Sequence, residues 1–285
     1  MNSENFRLDL VSNSSARYFP NNTTSSFVTK LPKALEFDKP YVVGISDIFY
    51  PLSMYNIQND VQVYLIYVID KTSNRMKPLT TSQRKHFQLK KGHYEYSESM
   101  ISEINSILRE IWENRIEFPE LSIDDTPKFV LANNNRVEFH YAVTADGKVI
   151  FPYFFQKQGS DSIEEMLGFT KGQIQKYSSI MSAAKKSILS ALEPDMKAGR
   201  NFAFIYSNVI RDRIVGDSMS PLLRVVPLSK GKYHDVGYAE FDPPYYYEVA
   251  TDRIENIHVL LADENGNQLS FSGGRVHINL HFKPK

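Results

Sequence analysis

Ile214-Val215-Gly216-Asp217-Ser218-Met219 is the stretch whose residue types come nearest to catalysis. A serine after Gly-Asp can serve as a nucleophile, provided a histidine takes its proton and an acid orients that histidine. In the chemistry this block suggests, the acid stands three residues before the base, and no Asp-x-x-His occurs anywhere in the chain. The fragment therefore reads as a Gly-Asp turn between strands, and no catalytic residue is assigned. His277 and His281 fall on one face of a C-terminal strand, but four residues of strand separate them by about 13 Å. A zinc ion holds each imidazole nitrogen at about 2.0–2.1 Å, so one metal cannot take both. Solvated or interface histidines are expected. Asp263, Asn265 and Asn267 hint at a calcium loop, yet Gly266 is misplaced for an EF-hand and no Glu closes it. A turn is expected there. Nucleotide-binding glycine loops, H-E-x-x-H and G-x-S-x-G are absent. There are no cysteines, which excludes disulfides, thiolate metal sites and a cysteine nucleophile. No cofactor or metal is expected, and the chain reads as non-enzymatic.

The elements that would position these residues are mostly strands. Phe6 to Leu10 and Phe27 to Leu31 alternate with period two, and Tyr41 to Phe49 ends at Tyr50-Pro51. Val61 to Ile69 is apolar on both faces, as in a central strand buried on both sides. The stretch from Ser12 to Ser26 is rich in Asn, Ser and Thr and reads as a loop. The middle changes period. Ser97 is expected to cap a helix carrying Met100, Ile101, Ile104, Ile107, Leu108 and Ile111. Ser162-Ile163-Glu164-Glu165 has the form of a capping box closed by Gly168, and 173–192 is weakly helical up to Pro194. Between them Val137, Phe139, Tyr141 and Val143 alternate, and Asp146-Gly147 turns the chain into Val149 to Phe151. From Phe202 the strand pattern returns, through Leu222 to Leu228, Ile257 to Leu261 and the Asn265-Gly266 turn. Val276, Ile278, Leu280 and Phe282 form the buried face of the last strand. This predicts a mainly β protein, one sandwich with a helix-containing insertion. The sandwich is placed at 1–70 and 201–285, and the insertion at 71–200 with helices near 97–112, 162–168 and 173–192.

The 285 residues carry 33 basic and 33 acidic groups, a zero net charge that argues against a general nucleic-acid coat. The longest apolar run is far too short to span a bilayer as a helix, and the polar, acidic N-terminus does not read as a signal peptide. The Asn-x-Ser/Thr sites at Asn13 and Asn21 are thus expected to stay unmodified, in an intracellular protein. Charge is segregated locally. Lys71, Arg75, Lys77, Arg84, Lys85, Lys90 and Lys91 lie in a stretch without acids, and an acidic stretch from Glu95 to Asp125 follows. These are solvated faces, or complementary surfaces that steer subunits together.

A set of runs in fixed order carries a resemblance. Phe6-Arg7-Leu8-Asp9-Leu10-Val11-Ser12-Asn13-Ser14-Ser15 is followed by Tyr18-Phe19-Pro20-Asn21-Asn22-Thr23, Phe27 and Lys30-Leu31-Pro32. Then come Tyr41 to Ile48, Tyr50-Pro51, Tyr55-Asn56-Ile57, Gly92-His93-Tyr94, Ile104-Asn105 and Met166-Leu167-Gly168-Phe169. The most specific part runs from Tyr206-Ser207-Asn208 to Asp217 and on through Pro221 to Pro227. Ile254-Glu255-Asn256-Ile257, Gly266 and Leu280 to Lys283 close it. Together they resemble the single-jelly-roll minor capsid, or penton, proteins of Polinton/Maverick-type viruses and adintoviruses; 115–200 matches least. The resemblance implies a single jelly-roll β-sandwich, a homopentamer at each vertex of an icosahedral capsid, and contact with a double-jelly-roll major capsid protein. It implies a virion component assembled inside the host cell, in nucleus or cytoplasm. A jelly-roll binding module of lectin or receptor-attachment type is the alternative. A five-fold ring joins two different patches, so one flank is expected to expose residues that make no sense on a monomer. The candidates are Tyr245, Tyr246 and Tyr247, with Pro243-Pro244 holding the backbone extended, and the loop residues Asn13, Ser14, Phe19, Pro20, Asn21 and Thr23, too polar for a core and too long for a tight turn.

Overall fold

The computed structural model describes residues 5–70, 75–82, 86–155, 162–178, 187–197, 200–228 and 235–285. Backbone packing divides the chain into one unit of residues 1–55 and 200–285 and another of residues 56–199.

Alternation of apolar and polar residues makes the strands of the first unit. They are β1 (Phe6–Val11), β2 (Ser26–Glu36), β3 (Tyr41–Pro51), β4 (Phe202–Ser207), β5 (Leu222–Pro227), β6 (Val236–Glu240), β7 (Arg253–Ala262) and β8 (His277–Pro284). One sheet runs β1-β8-β3-β6, and the other runs β5-β4-β7-β2. The chain crosses between sheets at every connection except β4 to β5, which is the winding of a jelly roll. The expected single jelly roll is therefore the fold. Leu10, Ile278 and Ile48 are register partners across β1, β8 and β3. With Phe27, Ile205, Val259 and Leu261 from the other sheet they form one buried cluster. Burying each such side chain contributes about 1.5–3 kcal/mol. Val276, Ile278, Leu280 and Phe282 are wholly buried, as their period-two spacing predicts. The register between β8 and β3 shifts at Asn279/Leu280. Ser46 is the extra residue on β3, and its hydroxyl donates to the Asn279 carbonyl at 3.2 Å. The bulge lets both Ile45 and Ile48 point inward, and both are buried.

The second unit has its own core. Its longest strand, Val61–Asp70, lies between Arg75–Pro78 and Val149–Phe155, and a separate sheet orders Ser187–Leu189, Val137–His140 and Lys128–Leu131. Helix α1 (Ser97–Glu113) buries Met100, Ile101, Ile104, Leu108, Ile111 and Trp112. Helices α2 (Ile163–Met166) and α3 (Gln173–Ser178) are short.

Four expectations need correction. Val61–Asp70 belongs to the insertion, not to the sandwich, because it pairs with Val149–Phe155. It is central as expected, but Tyr64 and Ile69 reach solvent. The N-cap of α1 is Tyr96, with no side-chain cap, and Ser97 is the first helical residue. The helix expected over 173–192 is helical only at Gln173–Ser178; 179–186 lies outside the described residues, and Ser187–Leu189 is a strand paired with Glu138–His140. At the N-terminus of α2, Ser162 does accept from the Glu165 amide, at 3.4 Å.

Candidate assembly interface

The aromatic segment after β6 is built as an excursion from a sheet edge. β6 pairs with Asp47–Pro51 of β3, and Tyr247–Glu248 rejoins β3 at Val42 and Val43. Between them the chain bends at Asp242 and Pro243, so the two prolines do not hold it extended. It passes over Gly44, where a Cβ would come within 2.4 Å of the Tyr245 carbonyl oxygen. Only glycine permits that approach. Arg224 of β5 is stacked between two rings, 3.9 Å from the Phe241 centroid and 4.0 Å from that of Tyr245. The Tyr246 hydroxyl lies 2.7 Å from His281 Nδ1, and Lys283 sits over the Tyr246 ring. Arg213 covers the Tyr247 ring at 4.5 Å. Burial lifts the Tyr246 hydroxyl above its ordinary range, and burial, with Arg7 and Lys283 nearby, pushes the His281 imidazole down. Tyr246 and Tyr247 are half-buried and held by their own chain; Tyr245 alone of the three is strongly exposed, at 64%.

The polar loop between β1 and β2 is ordered by its own chain as well. Asn22 acts as a two-sided strand mimic: its side chain donates to the Val28 carbonyl and accepts from the Val28 amide, each at 2.9 Å. Ser15 Oγ accepts from the Lys30 amide. The loop thus covers part of the β2 edge, which would otherwise be open for pairing. Asn13, Ser14, Pro20, Asn21 and Thr23 point to solvent, and Phe19 is half-buried. The exposed Tyr18 ring stands between Arg17 and Lys30, each 4.6 Å from its centroid. A hydrogen bond from Arg17, with the Arg17 charge, holds the Tyr18 hydroxyl below its ordinary range.

The residues first considered for chemistry take structural roles. Gly216, at φ 61°, and Asp217 form the tip of a two-stranded ribbon joining Arg213–Val215 to Ser218–Ser220. The Ser218 hydroxyl donates to the Val215 carbonyl at 3.1 Å, within that turn. Asp263 accepts from the Asn265 and Asn267 amides at 2.9 and 2.8 Å, closing the expected turn. His277 and His281 do share the outer face, but each has a partner: His277 Nε2 is 3.1 Å from Asp9 Oδ1. Of the two charged stretches in the insertion, Lys77 meets Glu117 at 3.6 Å within one unit. Lys71, Arg84 and Lys85 lie outside the described residues.

Sequence reading missed two exposed apolar features. Tyr238, Phe49 and His277 stand opposite one another across β6, β3 and β8, on the outer face. The Tyr238 and Phe49 rings meet at 4.6 Å, tilted by 33°, while remaining 47% and 38% exposed, and Val236 beside them is 66% exposed. On the ribbon, Ile214 and Met219 are register partners, 77% and 61% exposed. Period two identifies a strand's faces but does not say which faces another molecule covers.

No family model and no curated protein matches the chain. Among solved structures it is similar to the mavirus penton protein, with 11% identity, a TM-score of 0.47, and coverage of 99% of this chain and 100% of that one. It is also similar to a chain in the structure of the Sputnik virophage, with 10% identity, a TM-score of 0.45, and coverage of 99% and 98%. Among the described residues no helix is long and apolar enough to cross a membrane.

Proposed function

We propose that this chain is a structural virion protein, the minor capsid or penton subunit that forms rings of five at the vertices of an icosahedral capsid and contacts a double-jelly-roll major capsid protein. One observation carries the reading. Most of the runs that resemble penton proteins fall, in chain order, on the strands and turns of one jelly roll. Phe6 to Ser15 makes β1 and its exit, Tyr41 to Pro51 makes β3, Tyr206 to Asp217 runs from β4 to the ribbon tip, and Pro221 to Pro227 makes β5. Leu280 to Lys283 lies in β8. Catalysis has no part in this reading, because Ser218 is occupied within its own turn. The test is native mass of the purified chain together with co-sedimentation on the capsid shell. A closed ring that docks on the shell is the expected result; a monomer with no affinity for the shell overturns it.

The binding-module alternative is favoured by one feature. At one end of the sandwich, Phe37, Tyr41 and Val249 meet Asp38, Arg211 and Glu248 around a cleft of about 420 Å³. Glycan binding that is lost in Arg211→Ala, by a chain that forms no ring, would decide for that reading.

A further inference from the structure

A strand at the edge of a sheet points every second N–H and C=O outward, and the two sheets of the sandwich treat these groups differently. In the sheet β5-β4-β7-β2, the outward positions of β2 from Ser26 to Pro32 are occupied. Ser26 exchanges hydrogen bonds with Thr23, and Asn22 holds both backbone groups of Val28. The Lys30 amide donates to Ser15 Oγ, and Pro32 has no N–H. At the other edge of that sheet Pro227 of β5 also lacks an N–H, and its carbonyl accepts from the Tyr50 hydroxyl at 3.0 Å.

The sheet β1-β8-β3-β6 is open at both edges. The Ser12 amide donates to the Val276 carbonyl, so the even-numbered residues of β1 face β8. Arg7, Asp9 and Val11 therefore turn their backbone groups outward. The Asp235 carbonyl accepts from the Leu52 amide, and the Phe241 amide donates to the Ser46 carbonyl, so the odd-numbered residues of β6 face β3. Val236, Tyr238 and Glu240 turn theirs outward. Among the described residues, one of these outward groups is taken: the Val11 carbonyl accepts from the Ser14 amide at 3.0 Å. The side chains of these six residues lie on the outer face, since Leu8, Leu10 and Ala239 between them pack on the core.

We propose that β6 takes as its next strand β1 of a second copy of this chain, so that the sheet β1-β8-β3-β6 continues from copy to copy. Neighbouring strands of this sheet are all antiparallel. A copy brought alongside by rotation about an axis near the strand direction therefore presents β1 antiparallel to β6, with no strand reversed. Outward groups then meet outward groups in one register, Val236 opposite Val11, Tyr238 opposite Asp9 and Glu240 opposite Arg7. That register sets valine on valine and carboxylate on guanidinium. Within one chain Glu240 stands opposite Asp47, a like charge, and Arg7 of the next copy offsets it. Sliding by two residues one way sets Glu240 opposite Asp9, and sliding the other way sets Val236 opposite Asp9. The contact joins two different edges, the heterologous kind that closes into rings. This inference rests on the ring reading above and names the strands that meet.

The test uses the full chain, which has no cysteine of its own. Directly opposed residues of a hydrogen-bonded antiparallel pair have Cα atoms about 5.5 Å apart, within disulfide reach. In a single copy β1 and β6 are three strand spacings apart, about 14 Å, so no bond forms within the chain. Val11→Cys with Val236→Cys should, on mild oxidation, give covalent species that run past the dimer to the whole ring. Asp9→Cys with Val236→Cys, offset by two residues, should stay unlinked. Tyr238→Pro removes an outward N–H that β3 does not use, and should weaken association about tenfold in sedimentation velocity with the fold retained by circular dichroism. Tyr238→Ala keeps that N–H and should weaken it far less. Rings whose copies stay unlinked in the 11/236 variant overturn the strand pairing and leave the ring reading standing. Linking that stops at dimers assigns the edges to a two-fold contact and overturns the head-to-tail one. Preferential linking of the 9/236 pair overturns the register. A wild-type chain that stays monomeric at every concentration overturns both readings.

Discussion

Glu164 is buried in α2, and burial pushes its carboxyl up to about 7, against a backbone hydrogen bond from Gly172 that favours the charged form and with Glu165 adding to the rise. A carboxyl raised in the folded state binds a proton there that the unfolded chain has already released. Stability of the insertion should therefore fall as pH rises from about 4.5 to about 7. The full effect is on the order of 3 kcal/mol. Glu164→Gln keeps an acceptor for Gly172 and removes the charge, so its urea midpoint should be flat across this window and higher than wild type at pH 8. A wild-type slope retained in the variant would place the titration elsewhere. Ser218 makes the opposite case. Its hydroxyl closes a turn, so Ser218→Ala should leave ring formation and shell docking unchanged. Esterase turnover that disappears with this substitution would overturn the structural reading.

The elements show how local pattern and tertiary context divide the work. Gly44→Ala would drive a Cβ to within 2.4 Å of the Tyr245 carbonyl oxygen, a backbone atom that cannot turn aside as a flexible side chain would. The 241–246 excursion should lift from β3 at a cost of about 1–3 kcal/mol, typical of overpacking, and the Tyr246–His281 hydrogen bond should be lost from NMR spectra. Leu280→Asp in β8 should abolish soluble folding, because an unpaired buried carboxylate costs several kcal/mol. The β8 register, the helical face of α1 and the turns at Asn265-Gly266 and Asp146-Gly147 are legible in sequence because each depends on residues a few positions apart. The origin of Val61–Asp70 is not legible. Its residues suit a central strand of either unit, and its pairing with Val149–Phe155 spans about eighty residues of chain. The end of α3 is obscured for a related reason, since Ser187–Leu189 is a strand only through its partner Glu138–His140. Among the candidate interface residues, solvent exposure of the polar loop residues follows from their types. The cation over each of Tyr246 and Tyr247 is supplied by residues distant in sequence, Lys283 and Arg213.

At the scale of the molecule, a jelly roll that admits an insertion of this size between β3 and β4 needs the insertion's two ends brought together. The structure shows how the insertion does this within itself. Asn56, its first residue, donates through Nδ2 to the Tyr94 and Met196 carbonyls, both at 2.8 Å, and accepts from the Tyr94 amide at 2.9 Å. Met196 lies at the far end of the insertion, so one buried side chain ties its start to its finish. The unit also has a core distinct from that of the sandwich, centred on Trp112, Phe129, Phe139 and Phe151. A segment with its own core and joined ends meets the conditions for folding alone. Residues 56–199 expressed by themselves should give a dispersed NMR spectrum and a cooperative urea transition. Asn56→Ala strands buried partners at both ends. Each lost hydrogen bond to a buried group costs about 1–3 kcal/mol, so this variant should lower the stability of the isolated segment by several kcal/mol. If the isolated segment stays unfolded while the intact chain folds, the insertion depends on the jelly roll for its stability, and its core and clamp are not sufficient.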